Sequence, residues 1–124
     1  MGTILIIDDS QGLRKAFTEA LQEEGYQVLT AAGGLAGIAM AKNSKPDLII
    51  LDLLMPAPDG IEVLRTLKNS PATACIPVVI ASALWEGNAA KLIQEGAAAY
   101  FEKEKLTAAT LKSAVANVLG RSSI

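Results

Sequence analysis

The 124 residues contain no histidine and one cysteine, and they carry a formal net charge of only −2. So small a charge argues against general attraction to nucleic acid or an anionic membrane, and the lone Cys75 excludes an internal disulfide and fits a reducing compartment. No apolar run approaches the roughly 18 residues of a membrane span, and without histidine the commonest neutral-pH base and the commonest zinc ligand are both missing.

The length suits one domain, and with 51% apolar residues and 4% aromatic ones its core should be aliphatic. Ile4-Leu5-Ile6-Ile7 runs into Asp8-Asp9. Short Val/Ile/Leu runs bounded by turn signals read as strands buried on both faces of a parallel sheet. The chain enters this run almost at once, with no basic flank or cleavage site, so no signal peptide is expected. Leu13, Ala16, Phe17, Ala20 and Leu21 follow the stripe of an amphipathic helix, and Gly25 sits where its C-cap belongs. Residues 26–30 read as a second strand, 35–41 as a short helix closed by Lys45-Pro46, and 48–51 as a third strand ending at Asp52. A turn over 55–60 leads into a third helix. Asp59 is its N-cap, Glu62 completes a capping-box pattern, and Ile61, Leu64 and Leu67 face inward. Ser70-Pro71 lies at its end. The fourth strand, 76–81, runs into Ser82. Ala89, Leu92 and Ile93 mark a fourth helix stopped by Gly96, and the fifth strand, 98–101, runs toward Lys103. Leu111, Val115, Val118 and Leu119 stripe a last helix, with Gly120 after it. No repeat, low-complexity tract or linker interrupts the series. The alternation predicts a doubly wound α/β fold with a parallel sheet, filling residues 1–124 as one domain.

In such sheets ligands bind beyond the carboxyl ends of the strands. Asp8, Asp9, Asp52, Ser82 and Lys103 all fall there. Each has an ordinary reading: the paired aspartates and Ser82 as helix caps, Asp52 as a solvated turn residue, Lys103 as a surface lysine. Two adjacent aspartates are more than capping requires. In a strand order of 2-1-3-4-5 the first and third strands are neighbours, so Asp52 faces Asp8 and Asp9. Two carboxylates about 5 Å apart repel by roughly 3 kcal/mol at an effective dielectric near 20. Three together favour a raised pKa or a bound cation, and a small set of oxygen ligands points to Mg²⁺. A carboxylate can also attack phosphorus and form an aspartyl phosphate, a transfer that needs positioning and charge neutralisation more than acid-base groups. Lys103 and Ser82 would then serve the phosphoryl oxygens. A histidine needed for the chemistry would come from a partner.

In this order and spacing, Asp8-Asp9, Asp52-Leu53-Leu54-Met55-Pro56, Asp59-Gly60, Ser82 and Lys103 resemble the receiver domain of bacterial two-component response regulators, over essentially the whole chain. The resemblance implies a flavodoxin-like (βα)₅ fold, strand order 2-1-3-4-5, in a cytoplasmic phosphorelay protein. It implies that Asp52 accepts a phosphoryl group from a sensor histidine kinase or a histidine phosphotransfer protein. Asp9, Asp52 and the backbone carbonyl of Leu54 would bind Mg²⁺, with Asp8 acting mainly through water. Tyr100 matches an aromatic switch position, its ring turning inward as Ser82 moves toward the phosphoryl group. The face of the fourth helix, fifth strand and fifth helix would then change partners: a downstream protein, a fused output domain or a second copy of the chain. Such a protein assists its own phosphorylation and dephosphorylation and is not a turnover enzyme. A constitutive docking domain is the alternative. A phosphohydrolase fits less well, because those enzymes usually carry an Asp-x-Asp motif and a cap insertion.

Three positions depart from the family pattern. Glu104 follows Lys103 where the family usually has a cis-bonded proline. A cis bond to a non-proline residue costs roughly 3 kcal/mol, so a trans bond and a reshaped loop are expected. Pro58 replaces a bulkier apolar residue and should alter the turn before the third helix. Leu54 places an apolar side chain where it would shield an acyl phosphate from water. Trp85, just past Ser82, reads as core packing or a partner contact.

Overall fold

The computed structural model describes residues 2–83 and 89–122. Five strands alternate with helices: β1 (Thr3–Ile7), α1 (Gln11–Glu23), β2 (Gln27–Ala31), α2 (Gly34–Ser44), β3 (Leu48–Leu51), α3 (Gly60–Asn69), β4 (Val78–Ser82), α4 (Ala89–Gln94), β5 (Ala99–Glu102) and α5 (Ala108–Ser122). All the strand pairs are parallel, in the order β2-β1-β3-β4-β5. This is the flavodoxin-like arrangement expected from the alternation of apolar runs.

Alternate strand residues feed two cores. Leu5, Ile7, Ile49, Leu51 and Ile80 pack with Ala41 of α2, Val63, Leu64 and Leu67 of α3, and Leu92 of α4. Ile4, Ile6, Ile50, Val79 and Ala81 pack with Phe17 and Leu21 of α1 and with Leu111, Val115 and Val118 of α5. β3 is buried along its whole length, whereas every residue of β5, at one edge of the sheet, is half-buried.

Element ends follow local chemistry. Ser10 caps α1, its hydroxyl oxygen accepting from the Leu13 N–H at 3.3 Å, so neither Asp8 nor Asp9 is spent on capping. The expected Asp59 cap is present, accepting from the Glu62 N–H at 3.0 Å. Gly25 lies just past α1 with φ 91°, as a left-handed helix stop requires. β4 starts two residues later than its pattern indicates and includes Ser82. The Ile76 N–H is used in the preceding turn, where it donates to the Thr73 carbonyl, and Pro77 has no N–H to give. β2 is displaced by one residue, because the Tyr26 N–H still closes α1 on the Leu21 carbonyl, and β5 also starts and ends one residue later than its pattern indicates. α5 does not stop at Gly120 but continues to Ser122. Open space surrounds that glycine, and one glycine costs a helix only about 1 kcal/mol. Trp85 lies outside the described residues.

Candidate functional site

The sheet brings the acidic residues together through its own ladder. The Asp52 N–H donates to the Ile7 carbonyl at 3.0 Å, and the Asp8 N–H donates to the Ala31 carbonyl at 3.1 Å. Asp8 and Asp52 therefore stand side by side past the ends of β1 and β3, and each is only 2–3% exposed. Gly60 completes the support for Asp52. A Cβ on Gly60 would collide with the Asp52 carbonyl oxygen and the Leu53 Cα, so only glycine lets α3 begin this close to the site.

Lys103 is the counter-ion of the pair. Its Nζ lies 2.7 Å from Asp8 Oδ2 and 3.3 Å from Asp52 Oδ2, with the lysine side chain 15% exposed. The other oxygen of each carboxylate is also engaged. Asp8 Oδ1 accepts the Ser10 N–H at 2.8 Å. Asp52 Oδ1 accepts the Ser82 hydroxyl at 3.0 Å and the Leu54 N–H at 3.2 Å. Ser82, the last residue of β4, is fully buried, and its hydroxyl serves the site. Burial, and then the charge of Asp8, raise the Asp52 pKa above its ordinary value, while Lys103, the Leu54 N–H and Ser82 pull it back. Asp9 is exposed, yet one oxygen from each of Asp8, Asp9 and Asp52 falls within a 4.8 Å cluster. Such a cluster of hard oxygens suits a divalent cation.

Tyr100 stays outside this cluster. It is half-buried on β5, where it pairs with Ile80 and packs on the core beneath α2, α3 and α4. Leu54 is half-exposed and lines a groove with Met55, Pro56 and Ile61. The Lys103–Glu104 bond is trans, as expected from the missing proline, and Lys103–Lys105 forms a 3₁₀ turn with Glu104 exposed. The described cis bond is Ala57–Pro58.

Sequence reasoning found Gly60 only through its motif and missed Arg14. Gly60 counted as part of the Asp59-Gly60 motif, but its contact with the Asp52 main chain was not foreseen. Arg14 reads only as a polar position on an amphipathic helix, yet its Nη1 donates to the Asp8 carbonyl at 2.7 Å.

A family model described as the response regulator receiver domain matches residues 4–116. The response regulator PleD of Caulobacter vibrioides is 39% identical over 101 residues, covering 81% of this chain and 22% of PleD. The sporulation initiation phosphotransferase F of Bacillus subtilis is 43% identical over 65 residues, covering 52% of each chain. The chain thus spans about a fifth of PleD and about half of the phosphotransferase. Among solved structures, a response regulator receiver domain protein from Clostridium thermocellum superposes with a TM-score of 0.88 at 30% identity, over 99% of this chain and 98% of that one. A chemotaxis protein of Vibrio cholerae superposes with a TM-score of 0.84 at 28% identity, over 95% of this chain and 98% of that one. With the aspartate cluster and its lysine in place, the chain belongs to the response regulator receiver domain family of two-component signalling.

Proposed function

We propose that Asp52 accepts a phosphoryl group from a histidine of a partner kinase or phosphotransfer protein, in the cytoplasm, and that the state of Asp52 sets which partners the chain binds. The observation that carries this reading is the environment of one carboxylate. Asp52 is buried, tied to Ser82 at 3.0 Å and to Lys103 at 3.3 Å, and crowded by Asp8. A carboxylate oxygen of Asp52 attacks phosphorus, the phosphorus–nitrogen bond to the donor breaks, and imidazole leaves. Lys103 is placed to pair with a phosphoryl oxygen, and the Ser82 hydroxyl to donate to another. Asp9, Asp52 and the Leu54 carbonyl would hold Mg²⁺, and Asp8, engaged on both oxygens, would act through water. Bound there, Mg²⁺ would offset the negative charge of the transferred group. The chain takes part in chemistry on itself and turns over no separate substrate.

Ser82 sits on the last residue of β4 and pairs across the ladder with Glu102, two residues beyond Tyr100. That path supports Tyr100 as the residue through which the site addresses the face of α4, β5 and α5, where a downstream protein, a fused output domain or a second copy would bind. Acetyl phosphate or a phosphohistidine donor with Mg²⁺ should add one phosphoryl mass, and Asp52→Asn should abolish the addition. Equal modification of the variant would remove Asp52 as the acceptor. One observation favours a constitutive docking module instead: the Ser82 hydroxyl already reaches Asp52. That reading requires partner affinity to be the same with and without the phosphoryl group.

A further inference from the structure

Arg14 has no part in the reaction described above. It closes the first turn of α1, partly buried, with its own N–H donating to the Ser10 carbonyl at 3.0 Å. Its guanidinium turns back toward the sheet and meets the Asp8 carbonyl at 2.7 Å. That carbonyl needs an outside donor. The Ile7 carbonyl is taken by Asp52 and the Asp8 N–H by Ala31, and β1 ends at Ile7. Past the last ladder bond, the Asp8–Asp9 peptide is spanned by the Ser10 N–H bond to Asp8 Oδ1, and its own carbonyl is left for a donor from outside the sheet. A short hydrogen bond from a guanidinium fills that place.

The two aspartates depend on this bond differently. Both carboxylate oxygens of Asp8 are held, by the Ser10 N–H and by Lys103. The Asp9 carboxylate is exposed and has no hydrogen bond or ion pair to a described residue. Its direction is set by its backbone, and Arg14 fixes the peptide that enters it.

We propose that Arg14 is a positioning residue for cation binding, holding the Asp8–Asp9 peptide so that the Asp9 carboxylate faces the space it shares with Asp8 and Asp52. The proposal rests on the reading of this site as a Mg²⁺-assisted phosphoacceptor. Arg14 acts on a divalent cation in two opposed ways. Its charge repels the cation, and its hydrogen bond organises a ligand. Deleting a nearby like charge tightens cation binding, whereas deleting an outer-shell partner typically weakens it by about 10–100-fold. The sign of the change therefore separates positioning from simple electrostatics.

The test is calorimetric titration of the full chain with MgCl₂, beside phosphorylation by acetyl phosphate across a Mg²⁺ series. Arg14→Met should raise the Mg²⁺ Kd by about tenfold or more. Its phosphorylation by acetyl phosphate should require a correspondingly higher Mg²⁺ concentration than that of the parent. Arg14→Lys, which keeps the charge and a donor, should recover part of the affinity, and Arg14→Ala replaces the methionine variant if circular dichroism shows that one unfolded. Equal or tighter Mg²⁺ binding by the neutral variant overturns the proposal and leaves the phosphoacceptor reading standing. A parent that binds Mg²⁺ without gaining a phosphoryl group overturns that reading alone, and the affinity comparison still decides for Arg14. A parent that binds no Mg²⁺ overturns the proposal.

Discussion

Asp52 is held in a state that costs the fold stability. Burial and Asp8 raise its pKa in the folded chain, so the folded chain keeps that proton to higher pH than the unfolded chain does. Its contribution is complete below the ordinary carboxylate pKa and is lost as pH rises through the raised one. Asp52→Asn should therefore melt a few degrees above the parent at pH 7, and the advantage should fade toward pH 3.5. Thermal melts at the two pH values check this, and an advantage independent of pH would contradict it. Lys103 gives the opposite result. It bridges Asp8 at 2.7 Å and Asp52 at 3.3 Å, so Lys103→Met strands two buried carboxylates and should cost about 3 kcal/mol at neutral pH. In the Asp52→Asn background the same substitution should cost less, a coupling that urea denaturation of the four chains measures. The placement of Asp8, Asp9, Asp52, Ser82 and Lys103 was legible in the sequence because each lies within two residues of the end of an apolar run, and the sheet needs only parallel pairing to bring such ends together. Arg14 was not legible, because its role is set by where its guanidinium reaches after the first turn of α1 has brought it back to the strand end.

At the level of elements, α3 shows how closely one helix can be bound to the site. Its first residue, Gly60, rests on the Asp52 backbone, and its cap, Asp59, holds the Glu62 N–H. Asp59→Ala should cost about 1 kcal/mol, the usual value of a lost N-cap, and leave phosphorylation largely unchanged. Gly60→Ala should cost about 1–3 kcal/mol for overpacking. It should also slow phosphorylation, because the group that must move is the Asp52 main chain. Comparing stability and phosphorylation rate for the two variants separates loss of helix from displacement of Asp52. Strands and helices were read in the right order because periodicity survives any tertiary context. Boundaries were read less well where a single backbone donor decided them, as at Ile76-Pro77 and Tyr26. Gly120 shows the same limit: a glycine ends a helix only when the chain takes a left-handed turn, and here α5 continues through it.

For the molecule as a whole, a cation that binds only the folded chain stabilises it by mass action, about 2.7 kcal/mol at a hundred times its Kd. Melting temperature should thus climb with Mg²⁺, and Asp9→Asn should flatten the climb. The sheet also divides the site between strands of unequal protection. β3 is buried throughout and paired on both sides, whereas β5 is half-buried and paired only with β4. Amide hydrogen exchange should be slowest in β3, near the limit of global unfolding, and faster in β5 through local opening. Asp52 thus follows a central, slowly exchanging strand, and Lys103, its counter-ion, follows an edge strand. A brief opening of that edge would draw Lys103 away and leave Asp8 and Asp52 uncompensated while the rest of the chain stayed folded.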